Sequence, residues 1–507
     1  MKKPILTSAA FVASVLPFTN FAQERPNIVL FLVDDMGVMD TSVEFLTSSD
    51  GVVERHPLND WYQTPSMERL SESGVRFSRF YAQSVSSPSR TSLMTGQNST
   101  RHGTTNWINS ESNNRNEFGP LDWNWSGITS EDVTLSMLLQ QVGYRTIHIG
   151  KAHFGPIGSE GEEPCNLGFD INIGGSSIGQ PGSYLGEEGY GHIAGNKSRA
   201  VDDLEQFHGT NTFLTDALTI EAKRVVKDAV DEQKPFFLNL AHYALHAPFY
   251  TDERFIDNYP SDAGKSDQAR AFATLVEGMD KSLGDLLDYL EELGIAENTL
   301  IIFLGDNGSD APLGSVTGHT SSAPLRGIKG SVYEGGVRVP FIASWAKVDA
   351  KNATQKRYKI ASGEVNDTRS TIMDIFPTVL EIADVENPKE HIIDGSQLWK
   401  LFKGKKDSNH SSDVLLHFPH DHRGSYFTTY IEGDWKLIYY YNPQNPEKPK
   451  YELYNLNSDP YEKDDLSLQE GVKLAQMVIT MAEKLKEEGA LPPIDATGNK
   501  LYPALPI

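Results

Sequence analysis

Several stretches of the chain share one grammar: a β-branched apolar run, then polar or glycine residues, then apolar positions at helical spacing. Residues 28–33 end at Asp34-Asp35, and 146–149 run into Gly150-Lys151. Residues 236–241 lead toward His246, and 300–304 end at Gly305-Asp306. Unbroken apolar runs of this length suit central parallel strands buried on both faces. Helical patterns lie between them. Thr64-Pro65 reads as a cap followed by proline at the first helical position, with Gly74 as the stop. Leu214, Leu218, Ala222, Val225 and Ala229 mark one helical face; Leu275, Met279, Leu286 and Leu290 mark another, closed by Gly294. This alternation predicts an α/β architecture: a large, mixed, mostly parallel sheet flanked by helices.

Past about Asp394 the texture changes. Residues 414–418, 425–431, 435–440 and 451–456 read as short strands joined by turns such as Glu432-Gly433-Asp434, and a helix is expected over 470–488. This predicts a smaller C-terminal α+β domain of antiparallel strands and a helix. Residues 155–198 are glycine-rich and poor in periodicity, and are expected to form a long surface loop system framing a site.

A length of 507 residues is too great for one ordinary core. The start of the chain reads as an export signal: Lys2 and Lys3, a mostly apolar stretch from 5 to 18, then Ala22 as the last residue of the signal. The division expected is therefore 1–22 as signal peptide, 23–393 as the N-terminal catalytic domain and 394–507 as the C-terminal subdomain. The signal implies a periplasmic or secreted protein, and the stretch is too short for a membrane span. Hydrophobic residues make up 38% and charged residues 22%, which suits a globular chain. The net charge of -24 argues against a nucleic-acid partner, because phosphate neutralisation needs clustered Lys and Arg. It does not exclude an anionic small substrate, since net charge describes long-range fields and not a pocket. Cys165 is the only cysteine, so neither an internal disulfide nor a thiolate metal cluster is open to the chain, and an inert thiol is expected.

In open α/β sheets ligands bind beyond the carboxyl ends of the strands. The predicted strand ends deliver Asp34, Asp35, Lys151, His153, His246, Asp306 and Asn307 to one edge. Asp34, Asp35, Asp306 and the Asn307 amide are oxygen donors, and such a set favours Ca²⁺ or Mg²⁺ over Zn²⁺. Taken singly, Asp-Asp after a strand and Asp-Asn-Gly are also ordinary caps and turns. Ser86-Ser87-Pro88-Ser89-Arg90 places Ser86 at the N-terminus of a helix continuing through Leu93, where free N–H groups favour an oxyanion. Arg90, one turn on, can reach back to the group on Ser86.

Ser86-x-Pro88-Ser89-Arg90 with Thr95-Gly96 resembles the signature of the formylglycine-dependent (type I) sulfatases, serine-type, of the alkaline phosphatase superfamily. Further segments match the same family in the same order. They are Arg25 to Gly37, Gly143 to Gly155 with Gly150-Lys151-Ala152-His153, His246-Ala247-Pro248, and Gly305-Asp306-Asn307-Gly308. Leu325-Arg326-Gly327-Ile328-Lys329-Gly330 and Glu334-Gly335-Gly336 follow, then Gly433-Asp434-Trp435-Lys436-Leu437 and Leu453-Tyr454-Asn455-Leu456. Ala152 departs from the tryptophan usual there, and its position is expected to pack behind the site. The resemblance implies an alkaline-phosphatase-like fold and a sulfuric ester hydrolase. It further implies that Ser86 is converted to formylglycine (3-oxoalanine) and that one Ca²⁺ is held by Asp34, Asp35, Ser86, Asp306 and Asn307, with the following roles. Arg90, Lys151 and His153 act on the modified residue. His246 and Lys329 hold the sulfate, with His246 donating a proton to the leaving alcohol. A serine-type signature implies an anaerobic sulfatase-maturating enzyme as partner.

Exported enzymes of this pattern mostly resemble glycan-desulfating ones, so sulfated carbohydrate is the substrate expected, with a lean to galactose-type sugars. Candidate sugar contacts are Trp107, Asn109, Trp123, Trp125, Asp310, His319, Arg326, His420, His422 and Arg423. The run from His417 to Arg423 is equally a polar loop between strands. Two other readings stand beside the sulfatase. One is a phosphatase or phosphodiesterase of the same superfamily, using Ser86 directly. The other is a non-catalytic glycan-binding protein.

Overall fold

The computed structural model describes residues 25–193, 195–313 and 321–505. The expected signal peptide and His319 lie outside the described residues.

Among the described residues fourteen strands form in chain order. The first ten are β1 (Asn27–Val33), β2 (Val75–Phe77), β3 (Phe80–Tyr81), β4 (Arg145–Gly150), β5 (Ile171–Ile173), β6 (Phe236–His242), β7 (Thr299–Gly305), β8 (Phe341–Trp345), β9 (Glu364–Asn366) and β10 (Ser370–Thr371). The last four are β11 (Val414–His422), β12 (Gly424–Glu432), β13 (Trp435–Tyr440) and β14 (Lys450–Asn455). The main sheet has the order β5-β4-β6-β1-β7-β8-β2-β9. Its first five members are parallel, and β8 runs antiparallel to both neighbours. The mixed, mostly parallel sheet expected from the apolar runs is therefore present.

β1 explains the layering. All seven of its residues are buried. Val29, Phe31 and Val33 enter one core with the helices Leu214–Asp231 and Asp267–Glu292. Ile28, Leu30 and Leu32 enter the other with the helices Leu135–Gln141 and Ile375–Ala383. Alternate residues of a strand face opposite sides, so a strand covered on both sides must be apolar throughout. Ala152, fully buried, packs into the second core.

The four C-terminal strands make an antiparallel sheet in the order β11-β12-β13-β14. Leu474, Met477, Val478, Met481 and Leu485 of the helix Gly471–Glu487 cover one face, against Tyr430, Leu437 and Leu453. The other face sets Phe418, Phe427, Ile431 and Ile438 against Tyr81, Val85, Val332 and Val337. The second sheet thus packs on the residue immediately before Ser86. Residues 155–198 are more built than the surface loop expected: they include β5 and bury Tyr184 and Tyr190 completely. No described helix is long and apolar enough to cross a membrane.

Candidate active site

Three parallel strands of the main sheet end at one rim, β1 beside β7 and β4 one strand further across β6. β1 delivers Asp34 and Asp35, β7 delivers Asp306 and Asn307, and β4 delivers Lys151 and His153. All of them are buried. The chain bends sharply at two of these ends: Asp35 has φ 57° and His153 φ 55°. Non-glycine residues in the left-handed region carry strain of about 1–2 kcal/mol, and such strain gathers at functional sites. The Asp35 amide donates to Asp306 Oδ1 at 3.0 Å, which locks the two strand ends together.

The helix Ser86–Thr95 points its N-terminus at this rim. Ser86 Oγ donates at 3.1 Å to Asp34 Oδ1 and lies 3.1 Å from Asn307 Oδ1. One turn later Arg90 donates from Nε to Asp306 Oδ2 at 2.9 Å and from Nη1 to the Lys151 carbonyl at 2.6 Å. Its Nη2 has no hydrogen-bond partner and lies 3.7 Å from Asp34 Oδ1. Lys329 donates to Asp35, with Nζ 2.7 Å from Oδ1 and 2.8 Å from Oδ2.

Asp34, Asp35 and Asp306 present oxygens within 4.8 Å of one another. Burial drives the Asp34 carboxyl up to about 8; Lys151 opposes this, and the other two carboxylates add to it. Lys151, Lys329 and Arg90 each engage one of the three carboxylates, and the all-oxygen donor set they hold together fits a hard divalent cation. His246 Nε2 stands 3.7 Å from Asp35 Oδ2, and Nδ1 donates to the Ala247 carbonyl at 2.9 Å. Burial, then the Lys329 charge, holds this imidazole down to about 3, so it is neutral. His153 Nε2 bonds the Ile108 carbonyl at 2.6 Å and leaves Nδ1 buried without a partner.

A cavity of about 350 Å³ opens above these groups. Ser86, Lys151, His153, His246 and Lys329 line its base, and Trp107, Asn109, Asp310, His422 and Arg423 line it with them. Arg423 bonds Asp310 bidentately, and the Trp107 and His422 rings lie 6.2 Å apart. Two of the expected sugar contacts are corrected. His420 is wholly buried, bonded to Thr105 Oγ1 and packed edge-on against Trp123. Arg326 stacks over Tyr333 and donates to the Tyr454 hydroxyl and the Glu462 carbonyl, which makes it a tie to the second sheet. Trp123 is buried and Trp125 donates to the Asn109 carbonyl; neither lines the cavity. Gln180 and Arg199 do line it, and sequence reasoning missed them. Their only signal was the aperiodic glycine-rich stretch that carries or adjoins them. Cys165 is exposed, and burial of its thiol raises it to about 11, which keeps it protonated and unreactive.

A mostly parallel sheet with strand-end carboxylates around a buried serine is the arrangement of the alkaline phosphatase superfamily. Within it the chain belongs to the type I sulfatase family, a family of sulfuric ester hydrolases: the family model described as Sulfatase matches residues 26–385. A second, described as N-sulphoglucosamine sulphohydrolase, C-terminal, matches residues 329–490. The N-acetylgalactosamine-6-sulfatase of Mus musculus is 32% identical over 389 residues, 74% of this chain and 66% of that protein. The match thus spans just under two thirds of that relative's length. A protein named Sulfatase from Formosa agariphila is 27% identical over 516 residues, covering 88% of this chain and 85% of its own. The crystal structure of Ps i-CgsB in complex with k-i-k-neocarrahexaose is similar with a TM-score of 0.71 at 25% identity, covering 93% of this chain and 95% of that one.

Proposed function

We propose that this protein is an exported sulfatase that hydrolyses O-sulfate esters on the sugars of sulfated glycans, galactose-type sugars above all. The observation that carries the reading is the setting of Ser86 Oγ. It lies 3.1 Å from Asp34 and Asn307 and 3.0 Å from Lys151 Nζ, at the base of a cavity whose rim carries Trp107 and Arg423.

Ca²⁺ held by Asp34, Asp35, Asp306, Asn307 and the modified residue 86 supplies Lewis-acid stabilisation of oxygen charge. Formylglycine, which the anaerobic maturating enzyme would make from Ser86, would supply the nucleophilic oxygen and the exit for sulfate. The chain's own groups do the rest. Arg90 and Lys151 hold charge beside residue 86. The hydrogen bond from His153 Nε2 to Ile108 leaves Nδ1 free to accept a proton. Lys329 and His246 flank the sulfate and the leaving oxygen, with His246 the proton donor; in the substrate complex the imidazole then carries a proton at Nε2 as well. Trp107, Asp310, His422 and Arg423 form the sugar-facing rim. A relative named for N-acetylgalactosamine 6-sulfate hydrolysis and one bound to a neocarrahexaose both support a galactose-type lean.

The test is a sulfate-release screen over defined sulfated sugars with protein whose Ser86 peptide shows the aldehyde mass. Release from galactose-type sulfates is expected. Aldehyde-bearing protein that turns over phosphate esters and no sulfate ester would sink the reading.

A further inference from the structure

Arg79, Arg338 and Arg369 line one narrow cleft of about 20 Å³, beside Tyr81 and Glu334. It shares no residue with the cavity above Ser86. Backbone pairing brings the three together. β3 pairs with β10, and the Ser370 amide donates to the Arg79 carbonyl at 3.1 Å, which sets the segments carrying Arg79 and Arg369 side by side. The Val339 amide donates to the Phe80 carbonyl at 3.0 Å and brings in Arg338.

The charges in this cleft do not balance. Arg369 is 5% exposed; its Nη1 donates to the Ser412 carbonyl at 3.2 Å, and its Nε is buried with no partner. Arg338, also 5% exposed, donates from Nε to the Ser78 carbonyl at 2.6 Å, with Nη1 3.7 Å from Glu334 Oε2. The half-buried Arg79 guanidinium makes no hydrogen bond or ion pair among the described residues. Glu334 is the one carboxylate lining the cleft, and it is already engaged by Lys436 Nζ at 2.9 Å and the Tyr81 hydroxyl at 2.8 Å. Burial holds the Arg338 guanidinium below its ordinary range, and the Arg79 charge adds to that push.

Grouping cations out of water without counter-charge is costly, and the cost is offset when an anion joins them. A chain with 69 acidic residues against 45 Lys and Arg has carboxylates in surplus, yet supplies none that pairs with Arg79 or Arg369. Guanidinium groups match the oxygens of tetrahedral oxyanions two at a time. The cleft holds little more than the roughly 10–15 Å³ that one water needs, which excludes a sugar ring, and a tetrahedral oxyanion would meet the arginines at its mouth beside the half-buried Arg79. The geometry points to a second oxyanion site, at which Arg79, Arg338 and Arg369 bind one free tetrahedral oxyanion, sulfate or phosphate.

Two measurements decide it. Crystals of the full-length protein are soaked in selenate, and anomalous density is expected among the three arginines. Separately, full-length Lys329→Ala protein, weakened in the catalytic pocket, is titrated calorimetrically with sulfate, phosphate or chloride at constant ionic strength. Sulfate or phosphate is expected to bind, chloride is not, and the stronger of the two identifies the natural ion. Adding Arg79→Gln should weaken binding at least about tenfold. Arg369→Gln should do the same, and Arg79→Gln, which breaks no existing bond, keeps the test open if that variant misfolds. Selenate density absent from the cleft, or affinity unchanged by Arg79→Gln, overturns the proposal.

Discussion

Lys151 sets its Nζ 2.7 Å from each carboxylate oxygen of Asp34, with both side chains at most 1% exposed. The same nitrogen donates to Ser86 Oγ at 3.0 Å. One ammonium thus serves both a carboxylate of the trio and the Ser86 hydroxyl. Lys151→Met should lower kcat by about 100-fold or more, the scale of losing a preorganised charge. Without added calcium it should also cost about 3 kcal/mol of stability, because buried Asp34 loses its closest counter-charge and keeps only Ser86 Oγ and the more distant Arg90. With calcium bound the stability loss should shrink. Turnover close to wild type in matured Lys151→Met protein would remove the residue from the chemistry.

Removing divalent cation should loosen the whole rim. Calcium at about 100 times its Kd should stabilise the fold by about 2.7 kcal/mol, read as a rise in Tm that a chelator reverses. Asp306→Asn should abolish most of that rise. A melting temperature indifferent to both calcium and chelator would count against cation binding by Asp34, Asp35 and Asp306.

His417 predicts an acid-side weakness far from the catalytic rim. It is buried, bonded to Thr428 Oγ1 at 2.7 Å and to the Leu491 carbonyl at 2.9 Å. Burial lowers it to about 4, with the Leu491 bond opposing. The unfolded chain, with an ordinary histidine near 6.5, takes up the proton first. Stability from this group is therefore complete above about pH 6.5 and is lost as pH falls toward 4, a span of about 3 kcal/mol. Urea unfolding at pH 7 and pH 5 should show the loss, and His417→Gln should reduce it by the share this group contributes. An equal pH slope in the variant would assign the effect elsewhere.

Lys436 ties the two sheets together. It is fully buried, 2.9 Å from Glu334 and 2.7 Å from Glu462. Burial raises Glu462 to about 7, with Lys436 the main opposing charge. Lys436→Met leaves two carboxylates facing each other and should cost about 3–5 kcal/mol. Lys473→Met, which loses only a half-exposed pair with Glu432 at 3.3 Å, should cost under about 1 kcal/mol. Comparable midpoints for the two variants in denaturant would contradict the difference in burial.

What could be read from the sequence follows from which interactions are local. The residues 28–33, 146–149, 236–241 and 300–304 announced central strands because both faces are covered, and their ends announced the rim. β2, β5 and β9 gave no such signal: each has three residues, too few for any period to register. β8 runs against its neighbours and follows no helix-strand grammar. His420 was misjudged because alternate residues of β11 face opposite ways, and periodicity alone does not say which histidine ends in a core. Gln180 and Arg199 reach the cavity through a path of turns in which no residue type marks the direction.

The cavity is also a joint between two workshops. Its base is built on strands of the first sheet, whereas His422 and Arg423 sit at the tip of the β11–β12 hairpin of the second, where His422 pairs with Gly424. A graft of that hairpin tip would exchange part of the rim while leaving Asp34, Ser86 and Lys151 on their own foundations. Under the proposed function, selectivity for one glycan or another would lie partly in that detachable fitting, open to replacement without relaying the floor beneath it.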